Sequence, residues 1–390
     1  MLSDPDGQPP IMSSANEEFG PPAPIEGAGD PLADATVLFD CRWLGHGGAG
    51  RVTEMLLEEL RTSPPGGAWR LWGDEERLAP YVFVGASVVP WSGHPARWFG
   101  QADFLRVPAS NVAVYLHQVR PLRPGPSVTF VLDTIPLRFG GRPWVRWAKG
   151  LFFRIACRLS ARVITISAWS RDSIMRDLRV PRSRLIVTSL AVDPARVARI
   201  RALRAASPRG DHVLFVGRFA EHKNLLRLCR AFQLTRLQRN GGRIILVGGA
   251  SHEVAELSAF VRRESLVGVD VRGACTEAEL DQLLATCRAL VQPSLEEGYG
   301  LPAVEAATVG IQVAVTRTGW AMEIPHALAT FMDALDESSI ASAIDVAVGR
   351  GDADVAWLPR STLAADVLAT VRDVLSRAAA SSGRERRSPG

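Results

Sequence analysis

Apolar residues fall into two alternating patterns along the chain. Short runs rich in Val, Ile and Phe occur at TVLFD (36–40), YVFVG (81–85), VAVYL (112–116), SVTFVLD (127–133) and RVITIS (162–167), and read as buried strands. Between them, VTEMLLEELR (52–61) and AWSRDSIMRDL (168–178) space their apolar positions as helices do, with Ser167 as the expected cap of the second. Such alternation predicts βαβ units around a parallel sheet. A polar stretch with Pro and Gly, RAASPRGD (204–211), interrupts it. The pattern then restarts with greater regularity, giving strands at 212–217, 243–249, 269–273, 289–294 and 311–316. Helices are expected at 223–237, 253–264, 276–287 and from Pro302 onward, and a last amphipathic helix at 362–378. The economical architecture is α/β, with two doubly wound domains facing one another across a cleft.

Composition changes this picture at the ends of the chain. The first 34 residues hold seven acids, no Lys or Arg, and many Pro and Gly, which predicts a disordered acidic leader without the charged and apolar regions of a secretory signal. The tail 380–390 is likewise expected to be disordered. The remaining 34 of the chain's 41 acids face all 45 of its Lys and Arg, a net of +11 over 35–390. That surface favours anionic partners such as phosphates, nucleotides or acidic lipid headgroups. The five cysteines (41, 157, 229, 275, 287) form no CxxC, and no His stands at metal-ligand spacing, so a reduced, cytoplasmic protein without a metal is expected. No apolar run reaches the roughly 18 residues of a membrane span.

Three motifs carry chemistry. In VQPSLEEGYGLPAVEAA (291–307), Pro302 suits a first helical position, and Gly298 and Gly300 allow a tight turn with close approach to a ligand. The amides of Tyr299, Gly300 and Leu301 would then point from a helix N-terminus, an anion site. Glu297 before the turn and Glu305 one helical turn after it would serve hydroxyl groups on either flank; the plainer reading is that they complement the helix dipole. In FVGRFAEHKN (215–224), a strand ends at Gly217, Arg218 follows, and Lys223 lies where the next helix begins. Only Lys149 and Lys223 break the chain's exclusive use of Arg. Two cations converging at a strand end fit a diphosphate, each charge-assisted bond contributing on the order of 1.5–3 kcal/mol. Third, LGHGGAGRV (44–52) contains a GxGxxG, with Asp74 some way after it, as a dinucleotide fingerprint would. Four residues, CRWL, separate its first Gly from the strand and loosen that match.

With these motifs the chain resembles, from about 36 to 378, the retaining glycosyltransferases of the GT-B type, family 4 (group 1), which includes bacterial mannosyl- and rhamnosyltransferases of polysaccharide assembly. The most specific part is the E-x7-E element Glu297–Glu305, followed by Gly217, Arg218 and Lys223, the GHGGAGR loop, and ISAWSRDSI. The resemblance implies two Rossmann-like domains, 35–207 for the acceptor and 208–358 for the donor, with a helix over 359–379 crossing back to the first. It implies that Arg218 and Lys223 neutralise the leaving diphosphate of a nucleotide sugar without a metal. By the same resemblance Glu305 takes the ribose hydroxyls and Glu297 those of the transferred sugar. The 299–301 amides add donors, and Gly47 and Gly48 approach from the opposite wall. No cofactor is implied beyond the donor substrate, and the acceptor is a saccharide or lipid-linked saccharide. One departure stands out. Where the family often has His-Asp, this chain has Leu132-Asp133, with His117 in a neighbouring strand-end position as a stand-in. Three outcomes remain open: another residue fills the role, the donor lacks a hydroxyl there, or the enzyme is silent.

Residues 138–162 interleave Arg and Lys149 with Trp144, Trp147, Phe152 and Phe153. A basic aromatic helix suits peripheral contact with anionic membrane, here the inner face of the cell membrane, although an inward-packed amphipathic helix has the same pattern. No nucleic-acid motif accompanies it. Three rivals remain: a silent sugar-nucleotide-binding subunit of a glycan-assembly complex, an NAD-dependent oxidoreductase built on Gly45, Gly47 and Gly50, and a phosphorylase or epimerase on the same fold.

Overall fold

A computed structural model describes residues 30–95, 97–318, 321, 323–353 and 357–385. The strands are β1 (Thr36–Asp40), β2 (Ala68–Gly73), β3 (Ala86–Pro90), β4 (Val112–Tyr115), β5 (Ser127–Phe130), β6 (Arg162–Thr165), β7 (Leu185–Val187), β8 (His212–Val216), β9 (Arg243–Gly249), β10 (Val269–Gly273), β11 (Ala289–Gln292), β12 (Gln312–Thr316) and β13 (Ala329–Met332). The helices are α1 (Gly47–Thr62), α2 (Glu75–Leu78), α3 (Pro143–Arg158), α4 (Ala168–Leu178), α5 (Pro194–Ala206), α6 (Leu225–Phe232), α7 (Arg236–Arg239), α8 (Ser251–Arg263), α9 (Glu277–Thr286), α10 (Leu301–Thr308), α11 (Glu337–Arg350) and α12 (Leu363–Glu385).

The strands form two all-parallel sheets, ordered β3-β2-β1-β4-β5-β6-β7 and β10-β9-β8-β11-β12-β13. Strand order reverses between β1 and β4 in the first sheet and between β8 and β11 in the second. In doubly wound sheets the crevice beyond the strand carboxyl ends at such a reversal is where ligands bind. The loops that leave β1, β4, β8 and β11 carry the glycine loop, His117, Gly217–Arg218 and Glu297 respectively. Topology therefore selects the same loops as the motifs do.

Fully buried Leu363, Val367 and Val371 bring α12 into one apolar cluster with Val37, Val114 and Ile164 of the first sheet. Arg162 pairs with Asp373 at 2.8 Å, and the Ala364 amide donates to Glu59 of α1 at 3.0 Å. The last helix thus crosses back to the first domain.

Several boundaries differ from the sequence expectation. Residues 1–29 of the expected leader lie outside the described residues, but 30–34 belong to the folded body. Leu32 is completely buried, and Asp30 accepts from Arg372 of α12 at 3.0 Å. At the other end α12 runs on to Glu385, through the first part of the expected disordered tail. The run 81–85 is not a strand; Phe83 plugs the core while Val82 and Val84 face outward, and β3 forms five residues later, where its register with β2 begins. The helix expected over 223–237 begins only at Leu225, because Asn224 takes a left-handed conformation (φ 61°), and it breaks after Phe232, α7 restarting with Thr235 as its cap. The domain division at 207 also moves. α5 precedes it in sequence, yet Arg196 pairs with Asp281 and Arg204 with Asp352, tying α5 to the second domain.

Candidate active site at the interdomain cleft

At the carboxyl end of β11 the chain turns through Gly298-Tyr299-Gly300 into α10. Gly300 has φ 76° at the N-cap, a conformation that costs a side-chain-bearing residue about 1–2 kcal/mol. Glu297 lies just before this turn, and its Oε2 gathers three donors: Lys223 Nζ at 2.5 Å, Gln292 Nε2 at 2.7 Å and Ser294 Oγ at 3.1 Å. Burial pushes its carboxyl up, but the Lys223 cation and these hydrogen bonds prevail and hold it below the usual carboxylate range. Gln292 Oε1 is buried without a partner among the described residues, so this cage retains an unused acceptor.

Facing Glu297 from the first domain is Asp133, three residues beyond β5. Its Oδ2 lies 3.3 Å from where a Cβ on Gly298 would stand, so the glycine is what lets the two loops meet. The Ile135 amide donates to Asp133 at 3.0 Å. Burial dominates nonetheless and, with the neighbouring Glu297 charge, lifts the Asp133 pKa to about 6. One carboxylate of the facing pair is thus held ionised and the other sits at the edge of protonation near neutral pH. The domains are clasped around this point. Ser167 Oγ donates to the Gly298 carbonyl at 2.8 Å, Arg138 pairs with Glu296 and Asp177, and the Gly140 amide donates to Glu221 at 3.3 Å.

The other expected site residues are dispersed around this pair. Gly217 follows directly on β8 with φ 149°, and Lys223 Cε lies 3.9 Å from where its Cβ would be. Arg218 is 69% exposed and pairs with Glu253 of α8 at 3.1 Å, so the two cations each hold a carboxylate of their own. Glu305 pairs with Arg196 Nη1 at 3.0 Å, on the side of α10 toward α5. The Tyr299 hydroxyl donates to the Leu190 carbonyl at 3.0 Å, a structural use of its side chain, and Leu301 begins α10. Gly47 and Gly48 open α1 with nothing within 4 Å of where a Cβ would be, leaving room on the opposite wall. The CRWL spacer is rigid despite its length: buried Arg42 bridges Asp40 (2.8 Å) and Asp103 (2.7 Å), and Cys41 extends the ladder to Trp72. Asp74 caps α2 by accepting from the Arg77 amide at 3.0 Å.

His117 stacks on Trp43 with ring centroids 3.8 Å apart, and its Nδ1 accepts the Val119 amide at 2.9 Å. Burial drops its pKa to about 3, so it is neutral at physiological pH. Leu132 is buried in the core. Sequence reasoning did not single out Gln292, Ser294 or Arg196, and it gave Ser167 only a capping role and Arg138 only a place in the basic stretch 138–162. Gln292 and Ser294 carried a signal, since polar residues closing a buried strand need partners. Arg196 carried none, being one of many arginines in its helix.

Fold and site together define a two-domain α/β protein of the GT-B type. Residues 200–346 match the family model for glycosyl transferases group 1. Over 160 residues the chain is 30% identical to O-antigen chain mannosyltransferase B of Escherichia coli; the match spans 39% of this chain and 42% of that protein, less than half of the relative's length. Among solved structures it is similar to Anabaena HepE in complex with UDP and glucose (TM-score 0.58, 17% identity, 88% of this chain and 95% of that one). It is similar also to WaaG, a glycosyltransferase involved in lipopolysaccharide biosynthesis (TM-score 0.60, 15% identity, 87% and 95%). A third is sucrose-phosphate synthase from Thermosynechococcus elongatus (TM-score 0.62, 16% identity, 88% and 94%).

Proposed function

We propose that this chain is a retaining glycosyltransferase that moves a sugar from a nucleoside diphosphate sugar to a saccharide or lipid-linked saccharide acceptor in cell-surface polysaccharide synthesis. The observation that carries the reading is the facing pair Glu297–Asp133, with Lys223 on the ionised member and the glycine turn of α10 beside it. Lys223 would divide its charge between Glu297 and the donor's diphosphate, and Arg218 would swing from its exposed pairing with Glu253 to join it, so that protein cations stabilise the leaving group without a metal. Glu297 would accept hydrogen bonds from the transferred sugar. Glu305, positioned by Arg196, would take the ribose hydroxyls. Asp133 faces the reacting sugar from the acceptor side, in place of the missing histidine. His117 does not fill that role, being committed to Trp43 and the Val119 amide. The group 1 match over 200–346 and the UDP complex of a protein of like fold support the donor side of this reading.

The test is thermal stabilisation by UDP, GDP, dTDP, ADP and NADH, compared between wild type, Lys223→Ala and Glu305→Ala. A ligand at 100-fold its dissociation constant adds about 2.7 kcal/mol to the state it binds. One nucleoside diphosphate should raise the melting temperature of the wild type and of neither variant, and its sugar conjugate should then be turned over with acceptor. A shift by NADH alone would overturn the reading in favour of an oxidoreductase. A nucleotide shift without any turnover would leave a silent binding subunit.

A further inference from the structure

We propose that the outer face of α3 is a docking surface for an anionic lipid bilayer and that docking there sets the mouth of the cleft at the membrane. This rests on the transfer reading only for its purpose; the surface stands on its own geometry. α3 buries Phe153, Ala156 and Cys157 against the first domain. On the opposite side Trp144, Trp147, Leu151 and Ile155, spaced by three, four and four residues, form one stripe that is 65%, 72%, 45% and 37% exposed. Two outward tryptophans in line with two aliphatic residues are more apolar surface than a helix facing only water carries. Tryptophan favours the headgroup level of a bilayer, where its ring is buried and its N–H stays wet.

Charge selects the occupant. No acidic residue occurs between Asp133 and Asp172, whereas Arg142, Arg154 and Arg158 lie exposed along the stripe. A second copy of this face would set cations against cations, which is unfavourable. A surface of anionic headgroups complements both the stripe and its rim. No helix among the described residues is long and apolar enough to cross a membrane, so contact of this kind would be peripheral.

Position gives the surface its use. From Asp133 in the cleft the chain runs through the short turn Ile135–Leu137 to Arg138, which is bonded to Glu296 of the second domain, and past Gly140, which is bonded to Glu221, directly into Arg142 and α3. The end of α3 that bears Trp144 and Trp147 is therefore at the rim where the two domains meet. A bilayer resting on it would present membrane-borne acceptors to Asp133 without their leaving the surface.

The experiment is flotation of the full chain with vesicles of phosphatidylcholine alone and of phosphatidylcholine mixed with phosphatidylglycerol, with hydrogen–deuterium exchange on the bound protein. Wild type should float with the anionic vesicles, less at high salt, and hardly with the neutral ones. Trp144→Ser/Trp147→Ser should lower the partition by about tenfold, and Arg142→Gln or Arg158→Gln by about fivefold each on anionic vesicles only. Vesicles should protect amides over 138–158 and leave 251–273 unchanged. All variants should keep the wild-type response to nucleoside diphosphate, which also reports that they are folded and separates failure here from failure of the transfer reading. Absence of flotation, undiminished flotation of the double tryptophan variant, or protection confined to other elements would each overturn the proposal. So would a wild-type dimer that the double variant dissolves while neither floats, which would make a second copy the occupant.

Discussion

Burial pushes the Glu297 carboxyl up, but the Lys223 cation and the hydrogen bonds from Lys223 and Gln292 outweigh it and hold it below the usual carboxylate range. Lys223 and Glu297 are 11% and 12% exposed, so removing one leaves the other's charge in a poorly solvated place. Lys223→Ala is expected to destabilise the protein by about 3–5 kcal/mol, measurable by urea unfolding, and Lys223→Met/Glu297→Gln should recover most of that loss while remaining unable to bind donor. A double variant no more stable than the single one would show that the pair is not what supports the loop. Asp133 has the opposite character. It binds its proton more tightly in the folded chain, with a pKa of about 6 against an ordinary 3.8. Stability therefore falls as pH rises between those values, and the penalty is complete above about 6. Asp133→Asn should raise the melting temperature at pH 7, leave it nearly unchanged near pH 4, and abolish transfer. An equal effect at both pH values would place the strain elsewhere. Glu297, Lys223 and Asp133 were each legible in the sequence from motif and strand-end position. That Lys223 bonds Glu297, and that Asp133 faces Gly298, depends on loops 74 and more residues apart and left no local trace.

α10 shows how an element sets these residues in place. Gly300 lets the chain reverse into the helix, Pro302 removes an N–H that would have no acceptor, and the Ala303 and Val304 amides close on the Gly300 carbonyl. Gly300→Ala is expected to cost about 1–2 kcal/mol and to weaken donor binding more than the loss of stability explains. A full thermal response to nucleotide in this variant would count against the turn as part of the site. The start of α10 was readable because glycine and proline act locally. The expectation failed for 81–85 and 223–237, where apolar patterning was right about burial and wrong about form. Phe83 is indeed buried, but strand pairing with β2 begins only at Ala86; left-handed Asn224 delays the helix to Leu225, and the Thr235 cap restarts it as α7. β13 and α11 were not anticipated, since ATFM is short and the alanine-rich helix that follows carries a weak apolar stripe.

At the scale of the molecule, closure is held by a small set of polar contacts. Arg138 reaches from the first domain to Glu296, Ser167 to the Gly298 carbonyl, and Gly140 to Glu221. Because Arg138 is partly exposed, Arg138→Ala should change stability by only about 1 kcal/mol. It should nevertheless open the cleft, enlarging the radius of gyration in small-angle scattering and lowering kcat more than it raises KM for the donor. An unchanged scattering curve would mean that the apolar cluster through Tyr299 and α12 suffices to keep the domains together. α12 contributes to closure differently, by burying Leu363, Val367, Val371 and Val374 on the first domain after the chain has traversed the second.

The class of fold, the two sheets and the loops that bear the chemistry were written in the linear pattern of residues. Strand burial, glycine turns and proline starts are local demands that a linear pattern states directly. Which charges meet was settled by the folded arrangement. It gave Glu297 to Lys223, Glu305 to Arg196 and Arg218 to Glu253, moved α5 to the second domain, and folded Leu32 and Asp30 into the body. Those outcomes follow from where two sheets and a returning helix place distant loops, and an ion pair across such a distance is specified by packing rather than by either of its residues.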